Sequence, residues 1–165
     1  VTNRMISLGH KRIAHLAAPD HFTFAELRAR GWHMAMRSAS LADDLKTICA
    51  SSEEAGKQAA SHLLARTDRP TALICATDRI AIGAIEAATA AGLTVGSDIM
   101  VTGHDNIHAS RFTSPSLTTM ELDVRSVGEC LVDNLLHLIE HGMPEDPGNI
   151  FPLKHLLRAS SSEAD

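Results

Sequence analysis

The sequence contains no tyrosine and a single tryptophan, Trp32, and only 3% of it is aromatic. That scarcity argues against a stacking platform for nucleic-acid bases. Basic runs are missing too: Lys11-Arg12 is the densest pairing, and the formal net charge is −5. Tight DNA or RNA binding needs a concentrated basic face, so this chain by itself does not supply one. No apolar stretch reaches membrane-spanning length, and the N-terminus lacks a signal-peptide pattern. No GxGxxG or P-loop motif occurs, which leaves a nucleotide enzyme without support. The three cysteines, at 49, 75 and 130, lack CxxC spacing and sit in apolar contexts. They read as reduced core thiols of a cytosolic protein. Internal repeats and low-complexity segments are absent.

What remains is an ordinary globular composition, 44% hydrophobic and 21% charged over 165 residues. That length suffices for a domain with a sizeable core. Strand patterns at 13–17, 45–49, 72–76 and 99–102 alternate with helical ones, an order that favours a parallel sheet with right-handed crossovers. The first helical segment ends at Gly9 as its C-cap. Thr23 with Glu26, and Ser51 with Glu54, have the spacing of capping boxes for the next two helices. The first of these should bury Leu27, Met34 and Ala35. The run 72–76 is continuously apolar, as in a strand covered on both faces. Thr77 or Asp78 caps an Ala-rich helix ending at Ala91-Gly92. After Asn106 a polar loop covers 107–115 and an extended piece 117–120. An amphipathic helix then starts at Asp123, with apolar residues at 124, 127, 131, 135, 138 and 139, and Gly142 closes it. A two-proline loop over 143–149, an extended 150–157 with Pro152 at an edge, and a disordered tail from Ser160 complete the reading.

The most informative stretch is Thr71 to Asn106. Both of its strands end in polar residues, Thr77-Asp78 and His104-Asp105-Asn106. In an open parallel sheet, ligands bind beyond the carboxyl ends of the strands, so two polar tips share one edge where a small molecule is read.

Five segments carry a family resemblance: Leu8-Gly9-His10-Lys11-Arg12-Ile13-Ala14; Arg28-Ala29-Arg30-Gly31-Trp32; Ala76-Thr77-Asp78 with Ala81-Ile82-Gly83-Ala84; Gly103-His104-Asp105-Asn106; and Ser114-Pro115-Ser116-Leu117-Thr118-Thr119. In order and spacing the chain resembles the LacI/GalR family of bacterial transcriptional repressors over essentially its whole length. The resemblance implies an α/β fold like that of periplasmic binding proteins, with the effector in a cleft between two subdomains. Residues 1–116 and 153–165 would form the C-terminal subdomain, flanked by helices. Residues 117–152 would be the returning segment of the second, N-terminal subdomain. The helix-turn-helix domain would be absent, so operator DNA would be reached only through parts outside this chain.

The resemblance also implies roles. Arg28 would reach effector hydroxyls, for which its planar fork of donors is suited; otherwise it is a solvated helix residue. Asp105 would accept hydrogen bonds from sugar hydroxyls, or else start an Asx-turn. Thr77 stands where the family often has Asn, and serves either as ligand contact or as helix cap. Phe24, or Phe22 in its place, would stack on a sugar face. Ser51 stands where some members place an aromatic over the ligand, though capping is its stronger role. Leu122 replaces a polar residue of some relatives and suggests a less polar effector surface. Ile82 and Phe112 match surfaces that pack across a dimer. The spacing His137, Glu140, His141 fits the inverted zinc-protease pattern, but it lies on a helix whose apolar stripe already explains its period. A solvated face is therefore preferred to a metal site. The expectation is an effector-sensing, dimerising, cytoplasmic module that takes a sugar or polyol and needs no cofactor, metal or catalysis. Its rivals are a solute-binding protein of a sugar transporter, an enzyme on the same scaffold, and a dimer module without a ligand.

Overall fold

The computed structural model describes residues 1–143 and 148–161. Its elements in chain order are α1 (Thr2–Ser7), β1 (Ile13–Ala17), α2 (Thr23–Ser38), β2 (Lys46–Ile48), α3 (Glu53–Leu64), β3 (Ala72–Cys75), α4 (Asp78–Ala90), β4 (Met100–Thr102), a 3-10 turn (His108–Arg111), β5 (Thr119–Glu121), α5 (Val124–His141) and β6 (Lys154–Leu156). Strands β2-β1-β3-β4 form one parallel sheet in that order, and β5-β6 form an antiparallel pair. Parallel neighbours need crossovers, and α2, α3 and α4 supply them.

The period-two alternation of the strands sorts the core into two layers. Leu16, Leu73, Cys75 and Val101 pack with Ile80 of α4 and Leu63 of α3. Ile13, Ile74 and Met100 pack with Met5 of α1 and with Trp32 and Met36 of α2. The sheet is thus covered on both faces, which is why β3 is buried at every position. Two glycines allow α3 and α4 to touch. A Cβ at Gly83 would lie 1.9 Å from the Glu53 carbonyl oxygen, and one at Gly56 would lie 2.4 Å from that of Ile80.

Local signals set several boundaries. Gly9 takes φ +90, its amide donates to Ile6, and the next amide donates to Met5, which closes α1 in a Schellman motif. Asp123 caps α5 by accepting from the Ser126 amide at 3.2 Å. Two expected capping boxes do not form. Phe22 is the N-cap of α2, with no side-chain cap, so Thr23 already lies inside the helix. In α3 the cap is Ser52, accepting from the Ala55 amide at 3.3 Å, one residue beyond the expected Ser51.

The buried face of α2 also differs from expectation. It is Ala25, Ala29, Trp32 and Met36, whereas Leu27 and Met34 are each 60% exposed. Trp32 fixes the helix rotation, because a single large ring outweighs two flexible chains in buried area. The expected polar loop at 107–115 contains the 3-10 turn. The expected disordered tail begins with two fully buried residues: the Ser160 hydroxyl donates to the Val101 carbonyl, and that of Ser161 bonds Thr118. The rest of that tail and most of the two-proline loop lie outside the described residues. Of the three free thiols only Cys75 belongs to the core; Cys49 and Cys130 are half-buried. Among the described residues no helix is long and apolar enough to cross a membrane.

Candidate functional site

The carboxyl edge of the sheet collects the chemistry. Arg28 rises from the second turn of α2. One of its Nη atoms donates to the Ala76 carbonyl just beyond β3, and the other to Asp105 Oδ1 at 3.2 Å. Its guanidinium also lies 4.8 Å from the centre of the Phe24 ring, one helical turn earlier. Burial lowers the Arg28 pKa, and the charge of Asp105 opposes that shift. His104 Nδ1 sits 2.8 Å from the same Asp105 oxygen. Two nitrogens therefore converge on one carboxylate oxygen and hold the carboxylate at the rim.

The loop that presents Asp105 is tightly held. Asp105 and Asn106 both have positive φ, +109 and +48, which is uncommon away from glycine. Hydrogen bonds from both sides sustain that backbone. The Asp105 amide donates to the Met120 carbonyl at 2.9 Å. The Ile107 amide donates to Asp78 Oδ2, and Thr119 Oγ1 donates to Asp78 Oδ1 at 2.6 Å. Asp78 is fully buried and its pKa is raised, chiefly by desolvation. It braces α4, the loop and β5 together, as an orienting residue does.

A cavity of about 560 Å³ opens over this edge. Its polar wall is Arg28, His104, Asp105, Asn106 and Glu121, and its apolar wall includes Phe24, Leu27, Leu122 and Leu153. Arg28, Asp105 and Phe24 are thus brought together. Leu122 lies on the apolar wall, and the Phe22 ring stacks on Phe24 with centroids 5.4 Å apart. Thr77 and Ser51 are placed elsewhere. Their hydroxyls bond each other at 2.9 Å, and Thr77 caps α4 through the Ile80 amide. Ile82, on α4, is partly buried, and Phe112, just after the 3-10 turn, is 72% exposed. The His137 and His141 rings lie 4.9 Å apart, tilted at 57° to each other, on the open face of α5. Among the described residues no three His, Cys, Asp or Glu side chains converge as metal ligands.

Residue-by-residue reading missed two participants, Glu121 and Arg158, and named Asn106 only as part of the polar tip. Glu121 on β5 accepts from the Asn106 amide group, Asn106 links the loop to its surroundings, and Arg158 donates to Asn106 Oδ1 at 2.7 Å. Arg158 follows β6 by two residues, and no local motif marks it. Only the pairing of β5 with β6 brings it to the loop.

The family described as periplasmic binding protein-like domain matches residues 2–161. The chain belongs to this family. Within it, the domain groups with LacI-family regulators. It is 37% identical over 150 residues to the HTH-type transcriptional repressor PurR of Glaesserella parasuis, covering 88% of this chain and 44% of that protein. It is 37% identical over 134 residues to the lactose operon repressor of Escherichia coli K12, covering 81% and 37%. A solved lac repressor dimer, bound to operator and the anti-inducer ONPF, superposes with a TM-score of 0.90 at 32% identity. That match covers 98% of this chain and 57% of the other. The periplasmic-binding-protein-like domain described here spans less than half the length of these curated relatives. Those relatives are repressors, proteins that act by binding and not by turnover.

Proposed function

We propose that this domain is the effector-sensing part of a LacI-type transcriptional repressor, and that it takes a small, hydroxyl-rich ligand at the edge formed by Arg28 and Asp105. The observation that carries the reading is the Arg28–Asp105 pair, pinned at the rim of a cavity beyond the strand ends. A carboxylate held by two nitrogens on one oxygen keeps its other oxygen for a donor, and ligand hydroxyls supply donors. The wall of Phe24, Leu27 and Leu122 suits the apolar face of a sugar or related polyol. The relatives divide between a lactose operon repressor and repressors named PurR. The choice of a sugar or polyol therefore rests on the chemistry of this edge.

In this reading the ligand favours one arrangement of two subdomains, and that preference sets operator affinity through parts outside these 165 residues. Residues 117–152 belong to the second subdomain, and Ile82 with Phe112 faces a second copy in the dimer. The module works in the cytoplasm, where its operator is.

The test is a thermal-shift screen of sugars, polyols, nucleosides and sugar phosphates on this chain and on Asp105→Ala. A ligand that binds only the native state raises the melting temperature by mass action, by about 2.7 kcal/mol of stability at a hundredfold excess over Kd. A shift from a neutral polyol that vanishes in the variant supports the proposal. A shift from nucleosides alone, or one indifferent to Asp105, refutes the ligand class.

A further inference from the structure

Asn106 follows the rim carboxylate and never reaches the sheet itself, yet three bonds fasten it. Its side-chain amide donates to Glu121 Oε1 on β5. Its side-chain carbonyl accepts from Arg158 Nη2 at 2.7 Å, just past β6, and more weakly from Ser110 Oγ at 3.5 Å, a fourth contact. Its backbone amide donates to Thr119 Oγ1 at 3.2 Å. Arg158 extends the contact, since its Nη1 donates to the Leu117 carbonyl at 2.8 Å and to Ser110 Oγ at 3.0 Å. One side chain thus links β5, through its donor end, to the segment just past β6, through its acceptor end. Its left-handed backbone, φ +48, is a conformation that Asn tolerates better than most residues.

We propose that Asn106 is a positioning residue that couples the Asp105 carboxylate to the β5–β6 pair. The proposal deepens the reading of this edge as an effector site and rests on it for its purpose, but not for its test. The physical argument is one of shared backbone. Any change in how Arg28 and His104 hold Asp105 rotates the 105–106 peptide. The Asn106 side chain starts from that peptide, and its carboxamide is restrained at both ends by Glu121 and Arg158, so the rotation is felt in those bonds. Glu121 and Arg158 then lose or gain alignment together, since both bond to the same planar group. The loop's other bonds, from the Asp105 amide to the Met120 carbonyl, from the Asn106 amide to Thr119 and from Ile107 and Thr119 to Asp78, reach β5 and not β6.

The experiment is hydrogen exchange of the amides in Thr119–Glu121 and Lys154–Leu156, on the full 165-residue chain and without ligand. The perturbation is Asp105→Asn, which releases the charged hold of Arg28. In the otherwise unaltered chain it should speed exchange in both strands by about tenfold, the scale of one charge-assisted hydrogen bond. In an Asn106→Ala background the same perturbation should no longer change Lys154–Leu156, while Thr119–Glu121 keeps the direct bond from the Asp105 amide to Met120.

Should Asn106→Ala fail to fold, the exchanged pair Asn106→Asp with Glu121→Gln keeps a donor facing an acceptor and an acceptor for Arg158. Coupling should return there, whereas Asn106→Asp alone sets two carboxylates against each other and should stay uncoupled. The proposal is overturned if Asp105→Asn leaves both strands unmoved, if it acts equally on Lys154–Leu156 with and without Asn106, or if the exchanged pair stays uncoupled. None of these outcomes touches the ligand class, which the thermal-shift screen decides separately.

Discussion

His15 shows how one residue of the sheet sets a pH dependence. It is 1% exposed in the middle of β1, its ring stacks against Trp32, and its Nδ1 lies 2.9 Å from the Ile74 carbonyl. A carbonyl only accepts, so Nδ1 carries the hydrogen and the neutral ring keeps a lone pair on Nε2. Burial lowers its pKa from 6.5 to about 4. The unfolded chain therefore binds a proton that the folded chain refuses between those two values. Stability from this residue is complete above pH 6.5, declines as pH falls, and is spent near pH 4. The loss amounts to about 3 kcal/mol. Urea unfolding at pH 7 and pH 4 should show the native chain losing that much more than His15→Leu, in which groups titrating elsewhere cancel. Equal losses in the two proteins would mean that His15 is already charged when folded. At this scale the sequence was partly legible. Arg28 and Asp105 were singled out through the family resemblance, and the structure brings them together at the cavity rim. Arg158 and Glu121 were not, since their importance comes from a partner some 15 to 52 positions away.

Among the elements, the α3–α4 contact is the least tolerant. Helices approach closely only where side chains are small, and here two glycines meet backbone atoms directly. Gly83→Ala should cost about 3 kcal/mol or more, since the added carbon would meet a backbone oxygen that cannot rotate away. Caps provide a finer comparison. Ser52→Ala should cost about 1 kcal/mol, and Thr23→Ala much less, because only Ser52 bonds an otherwise unpaired helix amide. Equal costs measured by chemical denaturation would contradict the cap assignment. Element order and type were open to reading because hydrophobic period and turn residues agree along most of the chain. The caps slipped by a residue because Ser51-Ser52 offers two hydroxyls of equal propensity, and the sequence does not say which one faces Thr77. The face of α2 was misread for a different reason. Half of its buried stripe is alanine, and hydropathy ranks Leu27 and Met34 above Ala25, Ala29 and Trp32.

For the whole molecule, the arrangement of cores predicts how it comes apart. Among the described residues the largest fully buried apolar side chains belong to the four-stranded sheet and its helices and to the adjoining Ile99 and Leu117, and Trp32 reports on one of the two layers. The β5–β6 pair is tied to that body at its roots: the Gly103 amide donates to the Thr118 carbonyl, the Arg158 amide to Thr118 Oγ1, and the Val101 amide to the Ser160 carbonyl. Beyond these roots α5 has no fully buried residue, and Leu131, Leu135 and Ile139 lie along its exposed face. An amphipathic helix gains most of its stability from packing that face, and a single helix of 18 residues is marginal in water without it. Its Asp123 cap and the exposed Arg125–Glu129 pair contribute only about 1 kcal/mol and a few tenths respectively. The chain at low concentration should therefore unfold in two steps. Far-UV ellipticity should fall first, by the share α5 contributes, while Trp32 fluorescence should change only with the main sheet. Coincident transitions that do not shift with concentration would show that α5 is held by this chain alone, against the burial pattern. Coincident transitions that rise with concentration would show instead that a second copy covers the Leu131–Leu135–Ile139 face. In that case Leu135→Glu should separate the two transitions again while leaving the Trp32 midpoint near that of the monomeric sheet.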